Sequence, residues 1–254
     1  MYRRFLLIAL LAARASASIF IMAICKDGVV VVADSRIAFS DITSKSDKPL
    51  AYADGLNKII RFDSAVMAET GQGYIGNERF DGFVQRFSAS APALEPESIL
   101  PALLRFGRRA LPADDVPALM RQHMAVAKFA KGAPLICGYD GKPGPCLDSG
   151  FIQSSVTDFE KDRLKLAGMS ALTVATEARA SMQRYIAAKG KSATMGGEFT
   201  AVLLTSSGIR EIWTLRNPIS ARTLDELVEQ VLARKIQVTL VPPATWADLS
   251  SLLN

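Results

Sequence analysis

Histidine is almost missing from this chain. Its 254 residues hold one, His123, and only three cysteines, with no Cys-x-x-Cys pair, so no ligand set for a metal site is in view. The same scarcity leaves a histidine-dependent hydrolytic triad a single candidate base, and His123 reads instead as a structural residue on a helix face. Three cysteines also make no disulfide framework. Cys25 sits in an apolar run and reads as a small core residue. Cys137 and Cys146 flank a hairpin signal, Gly138 to Pro145, so an oxidising compartment would join them and a reducing one would keep them apart. A long apolar run is missing too: the stretch Phe5 to Ala13 is about nine residues, against the roughly 18 to 20 of a spanning helix, so no stable membrane insertion is expected. Although the net charge is +5, Lys and Arg are scattered among acids without an aromatic-basic stripe, which argues against a nucleic-acid partner. No nucleotide-binding motif or internal repeat is present, and no cofactor is expected. Hydrophobic content of 49% with 22% charged residues is that of a globular chain with a sizeable core.

What is present is a patterned N-terminus. Met1-Tyr2-Arg3-Arg4, the apolar run to Ala13 and Arg14-Ala15-Ser16-Ala17 form a charged region, a short hydrophobic region and an Ala-x-Ala cleavage site. Residues 1–17 therefore read as a signal peptide or removable leader and 18–254 as one domain, exported or periplasmic after cleavage; the alternative is a cytoplasmic propeptide. Cutting there makes Ser18 the first residue. A hydroxyl beside its own free α-amine is a nucleophile with a built-in base.

Further on, Ile19 to Cys25 and Val29 to Ala33 are β-rich around Asp27-Gly28, a hairpin signal. Ser40 to Pro49 is a polar loop, and Asn57 to Phe62 with Ala65 to Glu69 read as the next strands. Helical periodicity predicts Tyr74 to Phe87, Pro96 to Ala110 and Asp114 to Phe129; Pro134 to Tyr139 and Cys146 to Gln153 follow as a hairpin. Ala171 to Ala188 is a long helix, Phe199 to Thr205 and Ile209 to Leu215 a final hairpin. Thr223 is the expected cap of a helix over Leu224 to Arg234, with a strand at Ile236 to Val241 and a terminal helix at Trp246 to Leu253. Strands, then helices, then strands predict an α+β chain with two sheets and helices outside them.

Four segments carry a resemblance. Val32-Ala33-Asp34-Ser35-Arg36, Asn57-Lys58-Ile59-Ile60, Glu69-Thr70-Gly71-Gln72-Gly73, and Leu135-Ile136-Cys137-Gly138-Tyr139-Asp140 with Gly144-Pro145 resemble proteasome β-type subunits, over roughly Ser18 to Ile212. The resemblance implies the four-layer αββα sandwich of N-terminal nucleophile hydrolases, closest to bacterial homologues that lack α-type subunits. It implies Ser18 as nucleophile, Lys58 as its charge partner, Asp34 as the holder of Lys58, and the Gly71 N–H as an oxyanion donor. It also implies a homo-oligomeric ring acting on peptides or unfolded protein, with a separate unfoldase only if the protein is cytoplasmic.

The chemistry fits those roles. An α-amine with an ordinary pKa near roughly 8 is partly free at neutral pH and can take the hydroxyl proton. The chain departs from the family where Met169 and Met195 stand in place of serines, Ser192 in place of an aspartate, and Ala17 in place of a glycine before the nucleophile. The alternatives are a non-catalytic ring-forming homologue and an amidase acting on small amides. The expected start of the native protein is Ser18, and intact mass with N-terminal sequencing checks it; Met1 on the assembled protein would sink both the export and the catalytic readings.

Overall fold

The computed structural model describes residues 18–39, 51–71, 73–75, 78–91, 93–154, 158–159, 165–189, 195–220 and 222–226. Its strands are β1 (Phe20–Cys25), β2 (Gly28–Asp34), β3 (Ile37–Phe39), β4 (Ala51–Ala53), β5 (Ile59–Phe62), β6 (Ala65–Thr70), β7 (Tyr74–Ile75), β8 (Glu78–Arg79), β9 (His123–Ala130), β10 (Ala133–Asp140), β11 (Pro143–Leu147), β12 (Phe151–Gln153), β13 (Phe199–Thr205) and β14 (Gly208–Trp213). The helices are α1 (Phe80–Ser90), α2 (Pro96–Ala110), the short α3 (Val116–Met120) and α4 (Ala171–Lys189). The architecture is α+β, with antiparallel sheets throughout. One five-stranded sheet runs β12-β1-β2-β13-β14 and the other β11-β10-β9-β6-β5.

Period-two patterning explains how these sheets are covered. β1 and β2 are buried at every position, which demands apolar cover on both faces. Ile21, Ala23, Cys25, Val30 and Val32 pack with Val174, Ala175, Ala178 and Met182 of α4, whose spacing makes one helical stripe. The alternate residues Phe20, Met22, Val29 and Val31 instead meet Val66, Ala68, Ala125 and Ala127 of the second sheet. That sheet turns Met67, Met124, Val126 and Tyr139 the other way, onto Phe83, Val84 and Phe87 of α1 and Ile99, Leu100 and Leu103 of α2. The turn between β1 and β2 is tied to α4, because Asp27 Oδ2 accepts the Ala171 N–H at 2.7 Å and Lys26 N–H reaches the Met169 carbonyl at 3.1 Å.

Several expected elements are corrected. Helix does not begin at Tyr74 but at Phe80, after the β7–β8 ribbon. The expected helix Asp114 to Phe129 ends at Met120, and its second half is β9, the central strand of its sheet. Met and Ala suggest helix locally, but pairing with β6 and β10 on both edges overrides that preference. His123 is therefore on a strand rather than a helix face, with Nδ1 3.1 Å from Asp140 Oδ1. Cys146 to Gln153 splits into β11 and β12, which belong to different sheets. Ser220, not Thr223, takes the capping position, its Oγ accepting the Thr223 N–H at 3.0 Å. The expected leader 1–17, the whole 40–49 loop, the strand Ile236 to Val241 and the helix Trp246 to Leu253 lie outside the described residues.

Cys137 and Cys146 are disulfide-bonded across the β10–β11 register, while Cys25 is free and buried. The bridge ties the edge strand β11 to the sheet. Closing so short a loop contributes about 2 to 3 kcal/mol by restricting the unfolded chain. Cys137→Ser is expected to cost that much in urea unfolding, and a reductant should lower the wild type to the same midpoint without affecting the variant.

Candidate active site

The site is built around Asp34, at the end of β2. Its side chain is 0% exposed, and a carboxylate there needs donors on both oxygens. Oδ1 accepts the Lys58 Nζ at 2.7 Å and the Ile19 N–H at 3.0 Å, and Oδ2 accepts the Gly196 N–H at 2.8 Å. The Asp34 N–H returns a bond to the Ile19 carbonyl at 3.1 Å. One residue later the same reciprocity recurs: Phe20 N–H donates to Ser154 Oγ at 3.0 Å and Ser154 N–H to the Phe20 carbonyl at 3.2 Å. The backbone leaving Ser18 is thus held from both sides.

Lys58 arrives by a separate route. Gly55 and Leu56 N–H groups both donate to the Ser35 carbonyl, at 3.1 and 2.9 Å, and Asn57 Oδ1 accepts the Ile59 N–H at 3.1 Å, turning the chain into β5. Its side chain is 2% exposed. An ammonium buried so deeply persists only with a close anion, and Asp34 supplies it. Ser18, half-buried, shares a small cavity with Lys58, Glu69, Gly71 and Arg36.

Gly71 follows β6 with φ of 146°, a conformation that favours glycine. A Cβ there would be strained by the backbone and would fall 1.9 Å from Gln122 Oε1, displacing that side-chain amide. Arg36 is engaged by Asp54, with Nε to Oδ1 at 2.7 Å and Nη2 to Oδ2 at 3.0 Å, a bidentate pair.

Glu69 closes the cavity from β6. It is 6% exposed, and Oε2 has no hydrogen-bond partner. Burial pushes its carboxyl up from 4.5 to about 7, opposed by the Lys58 charge and reinforced by Asp34 and Asp81. Folded chains therefore keep a proton there that unfolded chains release, so this group's contribution to stability falls as pH rises from about 4.5 through about 7.

The four residues singled out from sequence are accordingly together: Ser18, Lys58 and Gly71 line one cavity, and Asp34 bonds Lys58 behind it. Of the departures from the family pattern, Met169 and Met195 pack against the apolar cluster beneath α4, and Ser192 lies outside the described residues. Sequence reasoning missed the Gly196 N–H as an Asp34 donor, the Arg36–Asp54 pair and Glu69. The signal for Glu69 was an acid directly after the apolar run Ala65 to Ala68, in a strand buried at every position. Among the described residues, no three His, Cys, Asp or Glu side chains gather as a metal site. No protein-family model matches the chain, and no curated protein matches it.

Asp34→Ala tests the centre of this arrangement. It would leave the Lys58 ammonium buried without an anion and the Ile19 and Gly196 N–H groups without their acceptor, an expected loss of about 3 to 5 kcal/mol in urea unfolding. Removing the exposed carboxylate of Asp140 instead should cost under about 1 kcal/mol.

Proposed function

We propose that this chain is an N-terminal nucleophile peptidase of the proteasome β type, with Ser18 as the nucleophile of a domain spanning 18–254. The observation that carries the reading is the buried Asp34, which holds Lys58 and also the peptide N–H directly after Ser18. Two antiparallel sheets facing each other, with α4 packed outside one and α1 and α2 outside the other, support a four-layer αββα sandwich.

In this mechanism the free α-amine of Ser18 takes the hydroxyl proton as Oγ attacks a peptide carbonyl carbon. The Lys58 charge favours the developing alkoxide, and the Gly71 N–H receives the oxyanion, a contact worth about 3 to 4 kcal/mol in comparable sites. The C–N bond then breaks, the α-ammonium returns its proton to the leaving amine, and an ester remains on Ser18. Water, deprotonated by the same amine, cleaves that ester and frees the enzyme. A homo-oligomeric ring and export after leader removal complete the reading; the Cys137–Cys146 bridge supports an oxidising compartment.

A second reading, a ring-forming homologue without turnover, is favoured by Met195, which packs against the apolar cluster directly before Gly196, the donor to Asp34; Met169 lies at the other end of β1, its carbonyl accepting the Lys26 N–H, and its departure from the family pattern does not bear on the surroundings of Ser18. Fluorogenic peptides separate the two. Ser18→Ala is expected to reduce hydrolysis by about 10³-fold or more and Lys58→Ala by about 10²-fold or more, with Ser18→Ala assembling like the wild type. Wild-type protein that starts at Ser18 yet neither turns over peptides nor reacts with a hydroxyl-directed covalent probe would establish the second reading.

A further inference from the structure

The charges around Ser18 do not balance. Arg36 is matched by Asp54, and Lys58 by Asp34. Glu69 lines the same cavity and is 6% exposed, with an unpartnered Oε2; among the described residues it has no cation bonded to it. A carboxyl taken out of water in that state is held mostly by keeping its proton, and its ordinary value of 4.5 rises to about 7 accordingly. Counting the acids that pair with its two cations, three acids, Glu69, Asp34 and Asp54, stand against Lys58 and Arg36.

Removing the leader supplies the missing charge. Hydrolysis of the Ala17–Ser18 peptide bond adds water across C–N, leaving a carboxylate on Ala17 and a new ammonium on Ser18, a residue that lines the cavity together with Glu69. Asp34 is poorly placed to take that ammonium. Both its oxygens are already engaged, Oδ1 twice, and it sits 0% exposed. Asp54 is spent on Arg36, and Asp81, on the first turn of α1, is bound to Arg79 at 2.6 Å.

We infer that the Glu69 carboxylate is the acceptor and counter-ion of the mature Ser18 α-amine. It is a positioning residue: it aims the amine and sets the pH at which the amine becomes a free base. The inference rests on reading Ser18 as the first residue of the mature protein. A carboxylate beside an ammonium stabilises the protonated amine, so the amine should titrate above its ordinary value near roughly 8. The groups facing Glu69 that also bear on it are Lys58, Asp34, Asp81 and Arg36, and none changes in a Glu69 variant.

The test measures the amine directly. Mature protein, confirmed to start at Ser18, is pulsed with acetic anhydride across a pH series, and acetylation of the N-terminal peptide is quantified by mass spectrometry. The wild-type midpoint is expected above the ordinary value, and Glu69→Gln should lower it by about one pH unit or more. Glu69→Asp, which restores the charge on a shorter arm, should recover part of that shift. In peptide hydrolysis the acidic limb of kcat/KM should move the same way. A shifted amine midpoint without turnover would uphold the contact while sinking the peptidase reading. A wild-type midpoint at or below the ordinary value would overturn the inference without recourse to any variant. So would an unchanged midpoint in Glu69→Gln, including the case where that variant loses only turnover of substrates with a basic side chain, which would assign the carboxylate to substrate binding.

Discussion

The buried Lys58–Asp34 contact constrains the rest of this molecule. Two charges with side chains 2% and 0% exposed cost several kcal/mol each to desolvate, and their attraction offsets this only when every remaining polar atom is satisfied. Asp34 meets that condition by taking backbone donors from the chain entering β1 and from Gly196 before β13. Those two segments flank β2 in the same sheet, so the electrostatic requirement of one side chain fixes three strand ends relative to one another. A merely structural ion pair would not need its aspartate to hold the residue after a serine. That coincidence of stability and placement is what makes the pair informative about chemistry.

The layers around it follow from simple alternation. Runs such as Phe20–Cys25 and Gly28–Asp34, apolar almost throughout, are stable as strands only between two apolar surfaces. One surface is α4 and the other is the second sheet, whose far face is in turn covered by α1 and α2. Helix cover is economical because a single stripe on α4, at Val174, Ala175, Ala178 and Met182, is mostly small and lets the helix lie close. The site sits where these surfaces end, at the C-terminal end of β2 and the end of β6, where side chains can leave the core yet remain buried.

Much of this was legible in the sequence. The α+β order, the β1–β2 hairpin, α2, α4 and the last hairpin follow from periodicity and turn residues, and the four candidate site residues were singled out on short segments that resemble a known family's motifs. Two kinds of feature were not. The stretch His123 to Phe129 carries residues that suit a helix, and only its two sheet partners, distant in sequence, decide that it is β9. Burial of a single acid is equally nonlocal: Glu69 reads as the last residue of a strand until β5, α1 and the cavity wall are placed around it. The Gly196 donor is a backbone group, and no side-chain pattern announces it. Even the disulfide was left open by sequence, because the pairing of Cys137 with Cys146 depends on the β10–β11 register, which places the two opposite each other.

On the proposed reading, the charges around the cavity would link maturation to catalysis in one step. Before cleavage Ser18 carries a neutral amide nitrogen, and Glu69 has no cation bonded to it; the group least costly to bury there is a protonated, inactive carboxyl. On the proposed reading, cleavage would create at the Ser18 nitrogen both the general base and the cation that Glu69 lacks. The clamp at Ile19 and Phe20 is already made by groups that cleavage does not touch, Asp34 and Ser154, and the cut therefore needs no rearrangement of the sheet. An amine held by Glu69 is also a weaker acid, and this sets a compromise: stronger aim for the amine comes with a smaller free-base fraction at neutral pH. If Ser18 is the nucleophile, the balance between those two effects would bear directly on its rate.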